Sequence, residues 1–77
     1  MAELVAELAR RLVDEPDAVR VEEVEEADGT LLLRLYVAEG DVGKVIGRQG
    51  RIARALRTIA RAGAAREGRR VQLEIVD

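Results

Sequence analysis

The residues with the most chemistry to offer form one string, Gly43-Lys44-Val45-Ile46-Gly47-Arg48-Gln49-Gly50-Arg51-Ile52. Within it, Gly47-Arg48-Gln49-Gly50 makes a tight polar loop. An apolar pair, Val45-Ile46, precedes it and an Arg-rich amphipathic segment follows. Two glycines three apart let the backbone turn sharply and remove the Cβ atoms that would hold an incoming group away. If the following segment is a helix, its first N–H groups lack intrahelical partners and favour an anion. Arg48 and Arg51 add positive charge beside them. The chemistry on offer is capture of a phosphate backbone.

Other uses of a glycine loop fit poorly. A Walker A loop requires Gly-Lys followed by Ser or Thr for magnesium, and Gly43-Lys44 is followed by Val45. A dinucleotide fingerprint requires Gly-x-Gly-x-x-Gly directly after a strand, whereas the spacing here is Gly43-x-x-x-Gly47-x-x-Gly50. A second Gly-x-x-Gly, Gly40-Asp41-Val42-Gly43, reads as structural. The chain has no Cys and no His, so thiolate metal sites and the commonest general base are missing. The acidic run Glu22, Glu23, Glu25, Glu26 lacks calcium-loop spacing and reads as a solvated strand edge. No catalytic residue, metal or cofactor is expected.

Charge is distributed unevenly. Residues 1–43 carry 4 basic and 12 acidic side chains, while residues 44–70 carry 9 basic side chains against Glu67 alone. The net charge of −2 hides this dipole, and local potential is what attracts a polyanion. At 77 residues the expectation is one domain over residues 1–77. A chain of this size buries only about 60% of its unfolded surface and gains from a partner. No signal segment and no apolar run of roughly 20 residues is visible, which predicts a cytoplasmic protein with no membrane role.

Around the loop, the pattern predicts elements that position it. Residues 2–13 read as a helix with Leu4, Leu8 and Leu12, joined by Val5, as its core stripe; Pro16 ends it. Residues 18–27 read as a strand in which Val24 falls out of phase with Val19 and Val21, predicting a bulge or register shift at Glu22-Glu23, or else a split strand. Asp28-Gly29 signals a hairpin turn, and residues 30–38 a second strand with Leu31, Leu33, Leu35 and Val37 on one face. Asp41 could cap a short helix through Ile46. Residues 51–66 form the clearest helix, with Ile52, Leu56 and Ile59 on one side and Arg54, Arg57 and Arg61 nearly opposite. That Arg row reads as a solvated face, with an electrostatic track for nucleic acid as the alternative. Gly63 is expected to mark a close approach to the sheet and Gly68 to cap the helix. Residues 69–76 are a third strand, parallel to the second after a right-handed crossover. The order is α-β-β-α-α-β, an α+β fold of two layers with a three-stranded mixed sheet and its helices on one face.

The string Val45-Ile46-Gly47-Arg48-Gln49-Gly50-Arg51-Ile52, set between two helices inside β-α-α-β, resembles the signature of the KH domain. The extra helix and strand in front resemble the bacterial type II arrangement, and the resemblance covers nearly the whole chain. It implies binding of single-stranded RNA, with the loop clamping about four nucleotides by their backbone. Gly47 and Gly50 would permit close approach, Arg48 and Gln49 would contact phosphates, and Lys44 and Arg51 would flank the loop. Ile46 and Ile52 would line the groove or serve the core. Arg69 and Arg70 would form the far wall, and the third strand near Gln72 would offer hydrogen bonds to base edges. Tyr36 is the only aromatic residue, so stacking platforms are missing and sequence selectivity is expected to be low. The resemblance also implies an RNA-chaperone role and either a homodimer or a complex with a second KH-containing protein of the KhpB (Jag) type. The rival reading is a dimerisation module in which Val45, Ile46 and Ile52 meet a partner.

Overall fold

The computed structural model describes Met1–Asp77. Its order is α1 (Ala2–Arg10), β1 (Arg20–Glu25), β2 (Leu31–Tyr36), α2 (Val42–Ile46), α3 (Arg51–Arg66) and β3 (Val71–Val76). Short 3-10 turns cover Pro16–Ala18, Glu39–Asp41 and Arg48–Gly50. The sheet runs β1-β2-β3. β1 pairs antiparallel with β2, and β2 parallel with β3. Leu31, Leu33 and Leu35 turn to one face and form a core with Val5 and Ala9 of α1, Val45 of α2, Leu56, Ala60 and Ala64 of α3, and Val71 and Leu73 of β3. This is the expected two-layer α+β arrangement.

The opposite sheet face has no helix over it. Arg34, at the centre of the middle strand, reaches Glu22 of β1 at 3.4 Å and Glu74 of β3 at 3.1 Å. The Arg20 guanidinium lies 3.9 Å from the Tyr36 ring centroid. Cross-strand side chains therefore half-bury Leu32 and Tyr36. No bulge interrupts β1: the register runs unbroken from Arg20↔Tyr36 to Glu25↔Leu31. Val24 simply faces the open side opposite Leu32, and cross-strand contact there replaces burial in the core. The hairpin closes through Gly29 at φ 88°, with the Glu26 N–H donating to Thr30 O. Asp28 accepts from the Thr30 N–H at 2.9 Å. That bond, then the Thr30 hydroxyl and, more weakly, the Arg70 charge hold the Asp28 carboxyl below the usual carboxylate range.

Three local expectations are corrected by packing. α1 stops at Arg10, and its buried residues are Val5, Ala6 and Ala9; Leu4 and Leu12 are exposed. Small residues let the helix lie close to the sheet, so the leucine row rotates outward. Gly63 does not approach the sheet: a Cβ there would meet the tip of the Met1 side chain, at the start of α1. Asp41 makes no cap bond to α2. Its buried carboxylate accepts from the backbone N–H groups of Asp14 at 3.2 Å and Glu15 at 3.0 Å, tying the chain after α1 to the entry of α2. Gly68 behaves as expected: Gly68 N–H donates to Ala65 O and Arg69 N–H to Ala64 O, the Schellman pattern.

Asp41→Ala leaves two backbone donors without their acceptor and is expected to lower stability by about 1–3 kcal/mol in urea unfolding. Asp41→Asn, which keeps one acceptor oxygen, is expected to lose less.

Candidate nucleic-acid interface

The loop begins where α2 ends. Gly47 adopts φ 77°, ψ 171°, a region open essentially to glycine alone. A Cβ there would stand 2.7 Å from Ile52 Cγ1 and 3.0 Å from the Ile52 backbone nitrogen. Both conformation and space therefore demand Gly. Gln49 follows at φ 58°, ψ 23° and Gly50 at φ 75°, ψ 15°, two successive left-handed residues. Gln49 has a Cβ and bears the cost of that geometry, of the order of 1–2 kcal/mol. The turn is closed by Gly47 N–H to Gly43 O at 2.9 Å and Gly50 N–H to Gly47 O at 3.1 Å. No side chain caps the start of α3, and no acidic residue lies in its first turn. The positive end of a 16-residue helix therefore opens beside the loop, as an anion site requires.

Gly50 also starts a groove of about 470 Å³ between α3 and β3. Ile46 and Gly50 stand at one end, Ala53 and Arg57 form the helical wall, and Gln72, Leu73, Glu74 and Ile75 form the strand wall. β3 is an edge strand, so its outer backbone groups are unpaired with any strand. At one point this edge is already engaged, because the Arg57 Nε–H donates to Leu73 O at 3.3 Å. A second hollow continues past Gln72 and is lined by Arg61, Arg69 and Arg70 beside the hairpin turn.

Ion pairing sorts the basic residues. Lys44 is held 3.3 Å from Asp14 and 4.0 Å from Asp41, Arg69 pairs with Glu25 at 3.2 Å, and Arg70 with Asp28 at 3.7 Å. By contrast, none of Arg48, Arg51, Arg54, Arg57, Arg61 or Arg66 has a carboxylate within ion-pair distance. The uncompensated charge therefore runs from the loop along α3.

The groove brings together Ile46, Gly50 and Gln72 of the expected residues, and Gly47, Arg48 and Gln49 link the first two of these along the chain. Arg69 and Arg70 stand one hollow further on. Arg51 flanks the loop as expected, its guanidinium donating to Gln49 Oε1 at 3.5 Å; Ile52 takes the core role among its two expected ones and borders an apolar hollow on the other side of α3, together with Leu8, Leu12 and Ile59. Ile52 supports the loop from beneath Gly47 and does not line the groove. Lys44 is turned toward carboxylates. Ala53, Arg57, Leu73 and Ile75 were not anticipated as groove residues. One signal for them does exist in the sequence: Gly50, Ala53 and Arg57 follow at helical spacing, so one helix face extends from the loop glycine past Ala53 to Arg57.

Comparison with known proteins addresses the same geometry. A model of the KhpA/KhpB KH domain matches residues 2–75. The chain belongs to the KhpA/KhpB KH-domain family. It is similar to the RNA-binding protein KhpA of Caldanaerobacter subterraneus, with 50% identity covering 99% of this chain and 100% of that protein. It is similar also to the RNA-binding protein KhpA of Treponema pallidum, with 52% identity covering 97% and 92%. Among solved structures, Era in complex with MgGDPNP and nucleotides 1506–1542 of 16S ribosomal RNA superposes with a TM-score of 0.62 at 27% identity. The match covers 96% of this chain but 28% of Era. The α-β-β-α-α-β order is thus the type II KH fold, with Gly47–Gly50 joining its α2 to its α3. The family is a non-catalytic one, as the absence of His and Cys led one to expect.

Gly47→Ala is expected to cost about 1–3 kcal/mol, from the forbidden φ and the Ile52 clash. Gln49→Gly is expected to leave stability level or raise it slightly, since it relieves a left-handed side-chain residue at an entropic cost of about 0.5–1 kcal/mol. Paired urea titrations measure both.

Proposed function

We propose that this chain is a non-catalytic, cytoplasmic, single-stranded RNA-binding protein, one KH domain over residues 1–77, that grips the RNA backbone with the Gly47–Gly50 loop and acts as an RNA chaperone. The observation that carries this reading is the uncapped start of α3 behind a glycine loop, continued by a row of arginines without carboxylate partners. Phosphates enter at Arg48, Gln49 and the glycine backbone, and the chain continues past Ile46 and Gln72 toward Arg69 and Arg70. The curated relatives named as RNA-binding proteins support the reading. No helix is long and apolar enough to cross a membrane.

Arg48→Asp combined with Gln49→Asp puts two like charges where phosphates would lie. The expected result is loss of binding to short single-stranded RNA by fluorescence polarisation, with an unaltered circular dichroism spectrum. Unchanged affinity in the folded double variant sinks the loop assignment. Four clamped phosphates also predict a log–log salt slope of about −3 for the wild type.

A second reading, an interaction surface, has its own observation. Leu12 and Ile59 are 38% and 39% exposed and, with Leu8, Ile52 and Ala55, line an almost wholly apolar hollow between α1 and α3. Val45 cannot take part because it is fully buried, and Ile46 belongs to the groove. We propose that this hollow carries self-association or docking of a second KH-containing protein of the KhpB (Jag) type, leaving the RNA groove free on the other side of α3. Ile59→Asp, at an exposed position, is expected to stay folded and to sediment as a monomer at concentrations where the wild type dimerises. A wild type that stays monomeric at the highest soluble concentration argues against the homodimer.

A further inference from the structure

We infer that Arg57 is the specificity-determining residue of the groove, favouring guanine and cytosine over adenine and uracil at the position it faces. This rests on the RNA-binding reading and goes beyond it, because loop and backbone contacts alone carry no sequence information. Arg57 differs from its neighbours in the basic row. Arg54 and Arg61 are exposed, whereas Arg57 is half-buried between Ala53 and Leu73 in the groove wall. Its Nε–H is bonded to Leu73 O at 3.3 Å, which fixes the plane of the guanidinium at the strand edge. The Nη1 and Nη2 donors have no hydrogen-bond or ion-pair partner in the protein. Arg57 lies seven residues after Gly50, two helical turns or about 10 Å along the axis, beyond the phosphate grip.

Two consequences follow for a base in the groove. Leu73 O, the acceptor that an exposed strand edge would offer to an exocyclic amino group, already accepts from Arg57, whose guanidinium stands beside it at the strand edge. What faces the base instead is a fixed fork of donors, which pairs best with two adjacent acceptors. Guanine offers them as O6 and N7, and cytosine as O2 and N3. In adenine each ring acceptor of the Watson–Crick and Hoogsteen edges adjoins the amino donor, and in uracil N3–H separates the two carbonyls. Partial exclusion of water by Ala53 and Leu73 sharpens the discrimination, since a mismatched donor there is left without a partner.

The test uses the full chain and labelled octauridine carrying one central guanine, cytosine or adenine, read by fluorescence polarisation. The wild type is expected to bind the guanine and cytosine oligomers on the order of tenfold more tightly than the adenine oligomer. Arg57→Ala and Arg57→Lys are expected to erase that ranking, the lysine because it keeps charge without the fork. Arg61→Ala is expected to weaken all oligomers alike and to preserve the ranking. If the folded wild type binds no oligomer, the RNA-binding reading itself fails. If it binds all of them equally, or if the ranking survives in Arg57→Lys and Arg57→Ala, the assignment of Arg57 is overturned.

Discussion

At Gly47 the backbone stands at φ 77°, ψ 171°, and the side chain of Ile52 fills the space a Cβ would need. The chain can leave α2 and enter α3 within four residues only because this position is glycine. Ile52 belongs to α3 and borders the core, so helix packing and loop conformation are a single arrangement. Gln49 is held left-handed as a result, and strain of that kind persists only where the surroundings determine it. The return is an open helix start facing solvent, with Gly50 at the head of the groove.

Charge follows the same division. Carboxylates hold most of the basic residues outside the row. Asp14 and Asp41 hold Lys44, Glu25 holds Arg69, Asp28 holds Arg70, and Glu22 and Glu74 flank Arg34. Exposed pairs of this type add little stability individually, but they remove these cations from the free potential. Arg20 lies over the Tyr36 ring instead, and every other arginine without a carboxylate partner lies between Arg48 and Arg66. A net charge of −2 is thus compatible with one strongly positive strip. α3 also separates two surfaces of different character, a groove of mixed polar and apolar lining against β3 and an apolar hollow against α1, so the two surfaces proposed for RNA and for a protein partner do not overlap.

The loop, the hairpin, α3 and the mixed sheet were legible in the sequence because each rests on local chemistry: glycines at required φ values, Asp-Gly at a turn, strict alternation in Leu31, Leu33 and Leu35. What was not legible depended on which of two apolar rows met the sheet. Periodicity in α1 marks Leu4, Leu8 and Leu12, yet Val5, Ala6 and Ala9 are buried, because closeness of approach rewards small side chains and spacing alone does not reveal it. The same limit hid Arg57, whose place on a helical wheel resembles that of exposed Arg54 and Arg61, and left Ile52 open between groove and core, where it packs on the core behind the loop. Asp41 looked like a cap because its partners, Asp14 and Glu15, are more than 25 residues away in sequence. The expected bulge in β1 assumed that Val24 had to reach the core, whereas the open sheet face accommodates it opposite Leu32.

On the proposed function, RNA enters on the groove side of α3 and is gripped at the loop. An NMR titration of the isotope-labelled chain with short single-stranded RNA tests this most directly. The amides of Gly47 to Ala53 and of Gln72 to Ile75 are expected to shift together and saturably, while those of Leu4, Leu8, Leu12 and Ile59 stay still. Shifts confined to the α1/α3 hollow, with a silent loop, would contradict the account.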